Sequence, residues 1–335
     1  MTYSSSGLIQ ATDYNGFVST SAAANINATW GQVGTTISGY GQGNIATVSA
    51  GGTVTATQWA TLVNTVSSMA NHQGTTITSR TAPVAGNTIS ILSSVNTDIT
   101  NCFTNRANAY ARGTQYGTFT GNVSKTTATG TGNAAWTISF VSTITWANNS
   151  AFNNFFNSGG MLKWETSKTA DTTDADTEWN DLANTLVGDI YITGAAASKT
   201  IANVAYTGTT KVSGTGTPTT LATATGAFAL TTTATTLYKQ FADTAPYTGS
   251  YIQLDAAVNS NTTPTVMTLT TAWVDPGGSG VGSSDNISGG TAVTSPATSI
   301  GSATAPTTLV TYFPPESVYL TVNSWGTPTI AGTVT

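Results

Sequence analysis

The stretch WTISFVSTITW, residues 136–146, decides the fold. Trp136, Ile138, Phe140, Ile144 and Trp146 alternate with Thr137, Ser139, Thr143 and Thr145. Side chains on a strand leave opposite faces with a period of two, so this run predicts a strand with one buried face and one hydroxyl-rich face. Met267, Leu269 and Trp273 alternate in the same way with Thr268, Thr270 and Ala272. Ile252, Leu254, Ala256 and Val258 form another such run, and Val318, Leu320 and Val322 a further one. Short alternating runs separated by turn signals predict an antiparallel β-sandwich or barrel-like domain. Asp275–Gly290 and the Thr-rich Thr207–Thr225 read as exposed loops.

Upstream of this region the period changes. Trp59, Leu62, Val63, Val66 and Ala70 recur at helical spacing. Thr55 and Gln58 fit a capping box at the start of that helix, and Gly74 supplies a stop. An echo lies 45 residues earlier: Ala11-Thr12-Asp13-Tyr14 and Phe17-Val18 mirror Ala56-Thr57-Gln58-Trp59 and Leu62-Val63. Thr12 or Asp13 is expected to cap a helix running toward Trp30. A third helix is predicted over Asn87–Ala111, with Leu92, Val95, Ile99, Cys102 and Phe103 on one face. The fold class is therefore mainly β with a small helical N-terminal region of about three short helices. Residues 1–113 are expected to form the helical region. Residues 114–335 form a Thr/Gly-rich antiparallel β domain with one inserted helix near 175–187, carried by Trp179, Leu182, Ala183 and Leu186. A shorter helical turn is expected over Ala151–Asn157.

Composition narrows function more than any motif does. The 335 residues hold only 9 Lys+Arg, 14 Asp+Glu, one His and one Cys, so 7% of the chain is charged against roughly 25% in an ordinary domain. Acid–base, nucleophilic and metal chemistry draws on those residue types, and the chain reads as a non-enzyme with no cofactor. A net charge of −5 and the lack of any Lys/Arg cluster exclude a nucleic-acid surface. No apolar run reaches membrane-spanning length, and the N-terminus lacks a secretory signal, which implies synthesis in a cytoplasm. Charge keeps most protein surfaces apart. A chain that dispenses with it is expected to pack against neighbours as a homo-oligomer or within a larger particle.

Few residues qualify as a site. Asp171, Asp174, Asp176 and Glu178 are the densest acidic set and the weak candidates for a metal, because hard cations take several carboxylate oxygens. Their spacing departs from an EF-hand, and carboxylates at the start of the Trp179 helix suit its positive end. Asp275 and Asp285 flank a glycine-rich loop and read as turn residues. His72 is expected to hydrogen-bond at a helix terminus, and Cys102 to be a small core residue. Tyr247, Tyr251, Tyr312 and Trp325 are weak candidates for a glycan-binding or interface surface, with core packing or subunit contact as the plainer use.

The chain resembles structural proteins of tailed bacteriophages, especially contractile-tailed phages of marine cyanobacteria. The resemblance rests on ATDYNGFV (11–18), SGYGQGN (38–44), VTATQWATLVNTV (54–66) and NHQG (71–74). It continues in FNNFFNSGGMLKWETSK (152–168) and TEWNDL (177–182), so it covers roughly the first 190 residues. It implies a virion structural protein built into the tail, baseplate, neck or fibre, with residues 1–113 as its particle-docking or oligomerisation region, other virion subunits as partners and no catalytic or cofactor residues. A capsid decoration protein and a host-surface glycan-binding adhesin are the alternatives.

Overall fold

The computed structural model describes residues 10–19, 24–31, 39–87, 89, 92–112, 116–118, 123–124, 135–168, 174–277, 307–313, 315–316 and 318–334. Its helices are α1 (Ala11–Val18), α2 (Ile26–Thr29), α3 (Ala56–Gln73), α4 (Leu92–Thr104), α5 (Asn149–Asn157) and α6 (Asp174–Asp181). Thr55 and Gln58 form the expected capping box on α3, each satisfying the other's backbone N–H. Gly74 ends α3 at φ 69°, a left-handed conformation that favours glycine. The echoed segment is also a helix, and its position explains the repeat: Tyr14 and Phe17 meet Trp59 edge-on at 5.8 and 6.0 Å. These rings, with Leu62, Val66, Val95, Ile99 and Cys102, make a core belonging to the helical region.

Three expectations for this region need correction. Residue Gln10, not Thr12 or Asp13, is the N-cap of α1, and the Asp13 carboxylate accepts the Gln10 N–H at 3.0 Å. The helix ends at Val18 and does not continue to Trp30; α2 is a separate turn capped by Asn25. The third predicted helix is shorter than Asn87–Ala111 and is the fourth in order.

The strands are β1 (Ala111–Arg112), β2 (Tyr116–Thr118), β3 (Val123–Ser124), β4 (Trp136–Thr145), β5 (Met161–Ser167), β6 (Ile190–Ile192), β7 (Lys199–Ile201) and β8 (Val204–Tyr206). They continue as β9 (Thr209–Lys211), β10 (Thr220–Leu221), β11 (Thr235–Phe241), β12 (Tyr251–Val258), β13 (Val266–Asp275), β14 (Thr307–Phe313), β15 (Pro315–Glu316) and β16 (Thr329–Val334). One antiparallel sheet runs β10-β11-β12-β13-β4-β16. A second runs β2-β14-β5-β6-β9, with β3 also on β14. Side chains from both sheets share one core, giving a sandwich-like architecture.

The alternating runs at 136–146, 252–258 and 267–273 bury the faces the period of two assigns to them. Thr271 occupies a core position among them because it accepts the Trp164 Nε1–H at 2.8 Å, tying the second sheet to the first. The inserted helix fills the end of the sandwich. Trp179 packs 5.0 Å from Trp136 and stacks on Trp273 at 5.6 Å. Directly after Asp181 the helix widens into a π-helical segment, Leu182–Val187. Gly188 closes it at φ 68°, where a Cβ would fall on the Ser213 carbonyl. Phe152, Phe155 and Phe156 on α5 close around Trp146.

Two β-region expectations also fail. Val318–Val322 is not a strand: Val318 is 88% exposed, and Val322 is exposed as well. The Gln42 side-chain amide takes both backbone groups of Val322, accepting its N–H at 2.9 Å and donating to its carbonyl at 2.8 Å. Leu320 packs against both the helical and the sandwich core, so the segment is a clasp between them. Thr207–Thr225 is not a plain loop, since it contains β9 and β10. Most of the loop predicted at Asp275–Gly290, including Asp285, lies outside the described residues.

Candidate functional site

The register of the first sheet places a set of side chains on its outward face. Val266, Thr268, Thr270, Ala272 and Val274 of β13 pair with Thr145, Thr143, Val141, Ser139 and Thr137 of β4. Beyond β4, Thr329, Ala331 and Thr333 of β16 continue the rows. On the other flank stand Tyr251, Gln253, Asp255 and Ala257 of β12, then Lys239 and Phe241 of β11. Only Lys239 and Asp255 are ionic among these residues, and both are tied to neighbours. Lys239 Nζ sits 3.5 Å above the Tyr251 ring and 4.7 Å from Phe241, while Asp255 accepts from Gln253 at 2.9 Å. At about 4.8 Å between strands and about 3.4 Å per residue, the face measures roughly 600 Å².

β16 ends this sheet among the described strands. Natural edge strands are blunted by Lys, Pro or a bulge. TIAGTV carries no Lys or Pro, and its pairing with β4 is regular. Thr329, Ala331, Gly332 and Thr333 are exposed.

The scarce reactive groups are locked into structure. His72 is buried, its ring lies edge-on to Tyr40 at 5.0 Å, and its Nε2 is 3.1 Å from the Ser158 carbonyl. A carbonyl only accepts, so Nε2 carries the proton. Burial holds the imidazole down at about 4 despite that bond. Its link to Ser158 is a seam between helical region and sandwich, beyond the helix-terminal role expected for it. Cys102 is buried, and burial followed by the nearby Asp98 charge pushes its thiol up to about 12. Lys199 donates to the Ala195 carbonyl at 2.6 Å; burial and then Arg106 bring it down to about 8. Arg80 and Asp98 form a buried ion pair. A groove of about 380 Å³ at the seam is lined by Gln42, Asn44, Asn148, Ser150, Asn154 and Ser324, whose side chains are all amides and hydroxyls.

The acidic candidates separate. Asp171 lies outside the described residues, and Asp174 and Asp176 stand in the first turn of α6, their side chains outside the description. Glu178 is only 7% exposed and is joined by two residues the sequence reading did not select. One carboxylate oxygen from each of Glu178, Asp181 and Asp243 lies within 4.8 Å of the others. Asp181 is three residues on from Glu178 and therefore on the same helix face. Asp243 comes from the segment after β11, a juxtaposition invisible to local spacing. Burial pushes the Glu178 carboxyl up, the Thr244 hydrogen bonds draw it back, and the Asp243 and Asp181 charges push it up again.

The aromatic candidates divide as well. Tyr247 and Trp325 are buried in the sandwich core, the core packing given as their plainer use. Tyr251 stays on the outward face beneath Lys239, and Tyr312 pairs through its backbone in β14, its side chain outside the description. Asp275 takes the turn role expected of it, accepting the Gly277 N–H at 2.8 Å. Among the described residues no helix is long and apolar enough to cross a membrane. No family model matches the chain, and no curated protein or solved structure is detectably similar to it.

Proposed function

We propose that the chain is a structural assembly component that buries the outward face of its β10–β16 sheet against further copies of itself. The carrying observation is the composition of that face: five strands presenting mainly Thr, Ser, Ala and Val beside the Tyr251 and Phe241 rings and Gln253, with its two ions held by neighbours. Covering such a surface avoids the desolvation penalty of trapping unpaired charge. Its size approaches the roughly 800 Å² per partner of a standard interface. The outer edge of β16, unpaired among the described strands, adds backbone donors and acceptors that a neighbouring strand can take up. Burial of His72 and Cys102 favours a structural role over an enzymatic one.

The particle we propose is the virion of a tailed bacteriophage, with the chain in its tail, baseplate, neck or fibre apparatus. Support for that finer reading is the resemblance carried by residues 11–18, 38–44, 54–66, 71–74, 152–168 and 177–182. Electron microscopy of purified particles labelled with an antibody against the chain tests it. Label on the tail apparatus is the expected result. Label on the capsid shell alone, or none on particles assembled with the chain present, would overturn the placement.

A further inference from the structure

We propose that Glu178, Asp181 and Asp243 form a binding site for a hard divalent cation of the calcium class. Their oxygens converge within 4.8 Å, and among the described residues none of the three has a cationic partner. Glu178 supplies the second observation. It is more than nine-tenths buried, and its Oε1 has no hydrogen-bond partner. A buried acceptor left unpaired is costly, more so when ionised. Thr244 reaches Glu178 through its hydroxyl and its backbone N–H, yet Oε1 stays unpartnered, and the single hydroxyl proton also lies within reach of Asp243 Oδ1 at 3.2 Å.

The donor set selects the ion. Three carboxylates with no His or Cys suit a hard cation with oxygen ligands, not zinc or copper. The chain's one His and one Cys are both built into the helical region and its seam. Asp243 is exposed and Asp181 half-buried, which leaves a side open to ions and to coordinating water. The π-helical segment begins at the residue after Asp181, and such segments are frequent at functional sites. A proton on Glu178 is the rival means of relieving the same repulsion.

Titrating the chelator-treated, full-length chain with calcium chloride distinguishes the two, followed by calorimetry and by thermal unfolding against sodium chloride of equal ionic strength. The expected result is one ion per chain with a Kd on the order of 10⁻⁴–10⁻³ M, as in partly open oxygen sites, and a raised unfolding midpoint. Asp243→Asn should weaken binding by about tenfold or more through loss of ligand charge. In chelator that variant should unfold at or above the wild-type temperature, because it removes repulsion without touching the core. No heat and no shift beyond the sodium control would overturn the proposal, as would undiminished binding in both Asp243→Asn and Glu178→Gln.

Discussion

His72 is a group that folding holds neutral. Its ordinary value is 6.5, and burial lowers it to about 4 in the folded chain. Above 6.5 neither state is protonated and the stability is fully present. As the pH falls from 6.5 toward 4 the unfolded chain takes the proton first, so stability is lost across that window. Between pH 7 and pH 5 the loss specific to this side chain is about 2 kcal/mol. Urea unfolding of wild type and His72→Gln at both pH values checks it. The wild type should lose that much more than the variant, and parallel losses would contradict the account. The sequence placed His72 at a helix end. Its Ser158 partner, 86 residues on, was not legible there. Thr271 has the same history: period two marks it as inward, but only the fold supplies the Trp164 N–H that makes a hydroxyl welcome.

Elements were legible where local chemistry dictates them. The α3 helix carries its own start, stop and apolar face within one stretch, and its boundaries follow from Thr55, Gln58 and Gly74. Removing the cap in Thr55→Ala should therefore destabilise the protein by about 1 kcal/mol, read as a lowered urea midpoint with an unchanged slope. An unchanged midpoint would mean that packing alone holds the helix end. The central strands β4, β12 and β13 were legible for the same reason, with their faces assigned by alternation. Val318–Val322 alternates equally well and forms no strand, because an amide from Gln42, 280 residues away in sequence, claims its backbone. Glu178 belongs to the same lesson: its local acidic neighbours were visible, but Asp243 reaches it only through the fold.

At the scale of the whole molecule, neutral hydrogen bonds replace ions. The helical region and the sandwich are joined through Gln42 to Val322 and His72 to Ser158. The outward sheet face extends the same chemistry to the surface. Debye screening at 1 M salt reaches only about 3 Å, so contacts made by such a face should persist where exposed ion pairs are silenced. Analytical ultracentrifugation of the full-length chain in dilute buffer and in about 1 M sodium chloride, beside Ala272→Arg, tests this most directly. The wild type should sediment as the same oligomer in both buffers, and Ala272→Arg should be a folded monomer. A wild type that is monomeric throughout, or an oligomer that salt dissolves and Ala272→Arg leaves intact, would contradict the account.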